Sequence, residues 1–139
     1  MKILLYLWQL PQNILGLLVI FFTQARYNDI DDDERNNYWL TRNYHFGVSL
    51  GNYIIFGNGL ISKNDVKHEQ GHQKQSLYFG WLYLLAIGLP SFCGNIYDRL
   101  FHKKWNRFKR KIWYYSQPWE KWADKLGGVE KNDKLQKSE

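Results

Sequence analysis

The chain has 139 residues, the length of a single domain, and contains one cysteine, Cys93, which excludes an internal disulfide. Aromatic residues make up 18% of the chain, including seven Trp and ten Tyr, side chains that favour positions with one dry end and one wet end. The formal net charge is +6, so an anionic partner, either nucleic acid or anionic lipid, suits the chain.

The first segment, residues 1–23, is strongly apolar with a polar interruption in its middle. A secretory signal peptide is one interpretation, but only Lys2 precedes the apolar run and no clear cleavage site follows it. We therefore expect retained apolar helices, with Pro11 near the start of the second. The unbroken run from Ile14 to Phe22 is short for a span, so crossing a membrane and lying along it both stay open.

The next segment is polar and then rich in β-forming residues. The charge cluster Asp29–Arg35 predicts a solvated loop, and residues 38–41 predict a short strand. Residues 46–56 predict a β-hairpin, because two runs of β-formers flank the two-residue turn Gly51-Asn52. This hairpin has two possible roles, which are packing within a sheet and pairing as an edge strand with an extended peptide.

A helix is predicted over residues 63–76, with Ser62 as its N-cap and Asp65 three residues further on. Gly71 within this helix costs stability, which predicts the close approach of another segment of the chain.

This helix carries the motif H-E-x-x-H, formed by His68, Glu69 and His72, which is a signature of zinc metallopeptidases. Residues i and i+4 lie on one helical face, so both imidazoles can reach one Zn²⁺. Glu69 lies at the edge of that face, where it can act as general base on a water molecule without binding the metal. A catalytic zinc usually has three protein ligands, so one ligand is missing from the motif.

Residues 77–97 carry no charge over 21 positions, which is enough for one membrane span. Gly88-Leu89-Pro90 offers a break, because proline stops a helix and disfavours helical geometry at the preceding residue. Residues 99–111 then combine seven Lys and Arg with aromatic residues. Such a pattern can bind single-stranded RNA, but beside an apolar segment it favours an anionic membrane surface on the cytoplasmic face, and nucleic acid is the disfavoured partner.

The missing ligand is predicted in a helix over residues 117–126, where Glu120 and Asp124 are i and i+4 and share one face. Glu120 would be the third ligand, and Asp124 would accept the free N–H of a ligating histidine. A single crossing by residues 77–97 would separate the ligands by about 30 Å, whereas zinc–ligand bonds are about 2 Å long. We therefore expect residues 77–97 to form an apolar hairpin, re-entrant or in-plane, or alternatively a core hairpin of a soluble protein.

Together the motifs H-E-x-G-H and E-x-x-A-D-x-L-G resemble those of the gluzincins, zinc metallopeptidases with a glutamate third ligand. They are most similar to the membrane-bound branch, which includes the CAAX prenyl proteases and bacterial heat-shock membrane proteases, and to small bacterial zincin-like membrane proteins. The resemblance covers two motifs and their order. It implies that His68, His72 and Glu120 bind Zn²⁺, that Glu69 is the catalytic base, and that Asp124 holds His68 in the correct tautomer.

The expected fold class is α+β, mainly α: a minimal zincin-like, membrane-associated domain over residues 1–128, followed by a polar tail over 129–139. The expected reaction is hydrolysis of a peptide or protein substrate, with Tyr114, Tyr115 and His102 as candidates to stabilise the oxyanion. The alternative is an inactive scaffold whose zinc is structural and whose surface binds a membrane or a partner.

Overall fold

The computed structural model describes residues 2–28, 37–42, 46–57 and 61–130. The predicted charged loop Asp29–Arg35 and residues 131–139 of the predicted tail lie outside the described residues. The helices are α1 (Lys2–Trp8), α2 (Leu10–Thr23), α3 (Lys63–Phe79), α4 (Leu89–Phe101), α5 (Arg107–Tyr115) and α6 (Pro118–Gly127). The strands are β1 (Arg26–Tyr27), β2 (Asn37–Leu40), β3 (Gly47–Leu50) and β4 (Tyr53–Phe56). The described part is therefore mainly helical with one small sheet, which agrees with the predicted α+β class.

The four strands form a mixed sheet in the order β1-β2-β4-β3. The predicted hairpin is confirmed, because β3 and β4 pair antiparallel with Gly47 opposite Phe56 and Leu50 opposite Tyr53. Gly51 in the turn has a φ of 61°, a left-handed conformation that glycine adopts without strain. The short strand β1, which pairs antiparallel with β2, was not predicted. In this order β3 lies at one edge of the described sheet.

The apolar core lies where the sheet meets α3. Tyr38 of β2, Ile54 and Phe56 of β4, and Val66 of α3 are all buried there. Burial of each such side chain stabilises the fold by about 1.5–3 kcal/mol. The core thus fixes α3, which carries the H-E-x-x-H motif, against the sheet.

The polar interruption in the N-terminal segment is the face by which α1 and α2 pack onto the domain. Gln12 is fully buried and donates from Nε2 to Ser76 Oγ at 3.1 Å and to the Gly80 carbonyl at 2.5 Å. Ser76 donates to Gln9 Oε1 at 2.7 Å, and Asn13 Oδ1 accepts from the backbone N–H in the hairpin turn. These bonds tie residues 1–23 to α3 and the hairpin.

The bend in the apolar run lies elsewhere than expected. The helical arms Lys63–Leu82 and Leu84–Phe101 meet at 119°, so the bend lies near Tyr83, and the expectation of a bend at Gly88-Leu89-Pro90 was wrong. Gly80 has a φ of 52°, and the Trp8 ring lies where its Cβ would be. Pro90 sits instead in the first turn of α4, after a π-helical segment, Leu84–Gly88, whose wider turn accommodates the missing N–H.

Within the described residues, no helix alone combines the length and apolar character needed to cross a bilayer. Two pairs of consecutive helices reach that length and composition when the two members are taken together, but each pair is bent. Helices α1 and α2 meet at 84°, and the two arms just described meet at 119°.

Candidate metal centre

The close packing of α3 against α6 brings the two predicted motifs together. A Cβ on Gly71 would collide with the backbone carbonyl of Ala123, and a Cβ on Gly127 would collide with the backbone carbonyl of Lys67. The close approach predicted from Gly71 is therefore confirmed, and the approaching segment is α6. The predicted capping box at the start of α3 is also present, since the Ser62 hydroxyl accepts from the Asp65 backbone N–H.

Three buried ligand atoms converge between these helices: Nε2 of His68, Nε2 of His72 and Oε2 of Glu120. The two nitrogens are 3.2 Å apart, and the carboxylate oxygen lies 3.1 Å from the nitrogen of His68 and 3.3 Å from that of His72. Bonds of about 2.0–2.1 Å in tetrahedral geometry place neighbouring ligand atoms about 3.3 Å apart. The cluster can therefore hold a metal ion of the size and geometry of zinc.

Hydrogen bonds on the far side of each imidazole determine which nitrogen faces the cluster. Nδ1 of His68 lies 2.7 Å from Asp124 Oδ1, as the resemblance implied, and Nδ1 of His72 lies 2.7 Å from Gln75 Oε1. The amide of Gln75 is oriented by its own bond, because its Nε2 donates to the Trp119 carbonyl at 2.8 Å. Both Nδ1 atoms therefore donate to these oxygens, and in a neutral imidazole each Nε2 offers its lone pair to the cluster.

The charges around the cluster favour a positive charge at its centre. Burial by itself lowers the pKa of His68, but the hydrogen bonds that its ring donates to Asp124 and Glu120 outweigh this effect and raise the pKa to about 10. For Glu120, burial raises the pKa, but His68 and His72 outweigh it and hold the pKa well below its usual range. Either a proton or a metal cation at the centre of the cluster would supply this positive charge.

Glu69 is buried beside the cluster, and within the described residues its Oε2 has no hydrogen-bond partner. Burial raises the pKa of this carboxyl, against the opposing effect of His68 and His72. A Cβ on Gly47 would lie 2.8 Å from the other oxygen of Glu69, so the edge strand β3 begins directly against this side chain. Glu69 is thus a buried carboxyl group placed between the cluster and a sheet edge.

Two of the three oxyanion candidates contact the site. The ring of Tyr115 packs edge-to-face on His68 with centroids 5.1 Å apart. The hydroxyl of Tyr114 lies 2.8 Å from Ser91 Oγ, which in turn donates a hydrogen bond to Glu120. Burial, and then the charges of Glu69 and Glu120, raise the pKa of Tyr115 above its usual range, so its phenol stays protonated. The structure does not bring His102 to these ligands, because its Nδ1 pairs with Asp98 at 3.0 Å and its ring stacks on Trp105.

The sequence analysis missed three side chains around the cluster: Gln75, Tyr83 and Ser91. The position of Gln75 three residues after His72, on the same helical face, was a signal for it. Tyr83 is buried, and the charges of Glu69 and Glu120 contribute to its raised pKa after burial itself. Tyr83 and Ser91 lie in the charge-free run, where no local pattern distinguishes them from packing residues.

Comparisons of the chain with models of protein families, with curated proteins and with solved structures find no match.

Proposed function

We propose that the protein is a small zinc-dependent metallopeptidase with a minimal zincin-like arrangement, in which His68, His72 and Glu120 bind Zn²⁺. The observation that carries the proposal is the buried carboxylate of Glu69, whose Oε2 has no partner among the described residues, beside the three converging ligand atoms. Burying a carboxylate without a partner costs free energy, and a structural zinc site needs no base. A role of Glu69 as catalytic base would explain why the protein tolerates this cost in free energy.

Zinc in this cluster would polarise the scissile carbonyl and lower the pKa of the attacking water. Glu69 would accept the proton of that water and pass it to the leaving amine. Its raised pKa in the buried site makes it a stronger proton acceptor. The protonated phenol of Tyr115, in contact with His68, would donate a hydrogen bond to the developing oxyanion.

The position of β3 supports a peptide in extended conformation as the substrate. An edge strand presents free backbone groups that can pair with another strand. Since Gly47 at the start of β3 lies against Glu69, a peptide paired with β3 would pass the base. The proposal therefore assigns the hairpin to substrate binding as well as to packing.

Attachment to an anionic membrane surface is also part of the proposal. Phe21 of α2 is 74% exposed and Phe92 of α4 is 63% exposed. The basic stretch 99–111 begins in the last turn of α4. Exposed apolar helices beside cations and aromatic residues suit the interface of an anionic bilayer. By the positive-inside rule, the site would then lie on the cytoplasmic face.

Substitution of Glu69 by Gln tests the catalytic proposal. Glu69→Gln should keep one zinc per chain, because the ligands are untouched, and should lose peptide hydrolysis by about 10²–10⁴-fold, because an amide cannot accept the proton of water. The measurements are metal content of the purified protein and cleavage of a diverse peptide library. Glu120→Ala is the matched control, in which zinc and hydrolysis should both be lost.

Two results would contradict the proposal. Full zinc occupancy in Glu120→Ala would show that Glu120 is not the third ligand, and the gluzincin-like site would then be wrong. A zinc-loaded wild type that cleaves no peptide of the library would leave the inactive scaffold with structural zinc as the better account.

A further inference from the structure

The two carboxylate oxygens of Glu120 have different partners. Oε2 faces the imidazole nitrogens of the metal cluster, whereas Oε1 accepts a hydrogen bond from Ser91 Oγ at 2.7 Å. Glu120 is fully buried, so water does not compete for either oxygen. Ser91 belongs to the first turn of α4, outside both sequence motifs.

The direction of the hydrogen bonds around Ser91 follows from its single hydroxyl hydrogen. An ionised carboxylate can only accept, so that hydrogen is donated to Glu120. The hydroxyl of Tyr114 lies 2.8 Å from Ser91 Oγ, and with the serine hydrogen already used, Tyr114 must be the donor. The chain of donors therefore runs one way, from Tyr114 to Ser91 to Glu120.

We propose that Ser91, supported by Tyr114, is a positioning residue that presents Glu120 to the metal through Oε2 alone. Holding Oε1 away from the metal keeps the carboxylate monodentate. A monodentate carboxylate leaves free the coordination position that a second carboxylate oxygen would occupy. Partners that orient the groups bound to a metal typically change its affinity when they are removed.

This inference rests on the proposed metal site and not on peptidase activity. It also connects the site to α4, since Leu89, two residues before Ser91, is 52% exposed and Phe92, the next residue, is 63% exposed. One face of the first turn of α4 thus bonds the third ligand while another presents apolar side chains to the exterior.

The test measures zinc affinity by competition with a chelator and records the visible absorption of the Co²⁺-substituted protein, which reports ligand number. Ser91→Ala should weaken zinc binding about 10–100-fold and shift the Co²⁺ bands towards higher coordination, because Oε1 becomes free to bind. Tyr114→Phe should change both readouts in the same direction but less. Ser91→Thr, which keeps the hydroxyl, should restore both, and Asn95→Ala, at an exposed position one turn along α4, should match wild type.

Wild-type affinity and an unchanged Co²⁺ spectrum in folded Ser91→Ala would overturn the positioning role alone. If Ser91→Ala does not fold, the same result in Tyr114→Phe would overturn it, because that variant keeps Ser91 and removes the hydroxyl that donates to it. A wild-type protein that binds no zinc would overturn the metal site and the role of Ser91 together. A wild-type protein that binds zinc but does not hydrolyse peptides would overturn only the peptidase proposal.

Discussion

The orientation of the ligands is decided by single hydrogen bonds on the side facing away from the cluster. Asp124 and Gln75 each accept from a histidine Nδ1, and Ser91 donates to Oε1 of Glu120. Each bond leaves one atom with a free lone pair facing the centre. Of these three partners only Asp124 was predicted, because it belongs to the second motif, whereas Gln75 and Ser91 lie outside both motifs.

Gly71→Ala is the residue-scale test of the contact between α3 and α6. Its methyl group would collide with the backbone carbonyl of Ala123, which cannot turn aside as a flexible side chain can. We expect the free energy of unfolding to fall by about 1–3 kcal/mol and zinc affinity to fall with it, since α6 carries Glu120. Chemical denaturation and chelator competition measure the two effects.

Gly88→Ala is the matched control for that substitution. A Cβ there meets the Leu84 side chain at 3.5 Å, an ordinary contact, and alanine is the better helix former by up to about 1 kcal/mol. We expect this variant to be at least as stable as wild type. Equal stability and zinc affinity of Gly71→Ala and wild type would show that α6 does not depend on this close approach.

At the scale of elements, the polar residues within the N-terminal apolar segment form its contact with the domain. Buried Gln9, Gln12 and Asn13 bond α3 and the hairpin turn, while the apolar residues of α2 are largely exposed. The usual amphipathic arrangement is thereby inverted, with polar contacts inside and apolar side chains outside. Such an arrangement suits a helix that has protein on one side and an apolar environment on the other.

Gln12→Ala tests this contact. It removes the donor to Ser76 and to the Gly80 carbonyl, and the buried carbonyl is left without that bond. We expect a loss of about 1–3 kcal/mol in the free energy of unfolding, measured by chemical denaturation. Leu17→Ala, on the exposed face of the same helix, should change stability much less in detergent-free solution. Equal effects of the two variants would contradict the assignment of faces.

At the scale of the whole molecule, α3 and α6 must lie on the same side of any membrane that the protein contacts. The Lys74 ammonium on α3 donates to the Leu126 carbonyl on α6 at 2.7 Å, so the two helices meet along their length as well as at the metal cluster. The bend near Tyr83 turns the chain by 119° before α4, which allows the chain to return to α6.

Cysteine labelling in cells tests this topology. Single cysteines at Lys74 and at Lys121, each in a Cys93→Ser background, should share one pattern: protection from a membrane-impermeant thiol reagent in intact cells and reaction after lysis. The reason is that the cluster holds both helices together and the basic stretch 99–111 favours the cytoplasmic side. Opposite labelling of the two positions would mean that the chain crosses the membrane between them, and the three ligands could not meet within one chain.

The sequence by itself determined the features that depend on neighbours in the chain. The capping box at Ser62, the hairpin turn at Gly51-Asn52 and the i, i+4 pairs of the two motifs are encoded within a few residues, so local geometry was enough to predict them. Only the tertiary structure decided where the apolar run bends, because the Trp8 ring lies against Gly80 from more than 70 positions away. It also decided which groups orient the ligands: Ser91 and Glu120 are 29 positions apart, and two such residues meet only after several helices have packed.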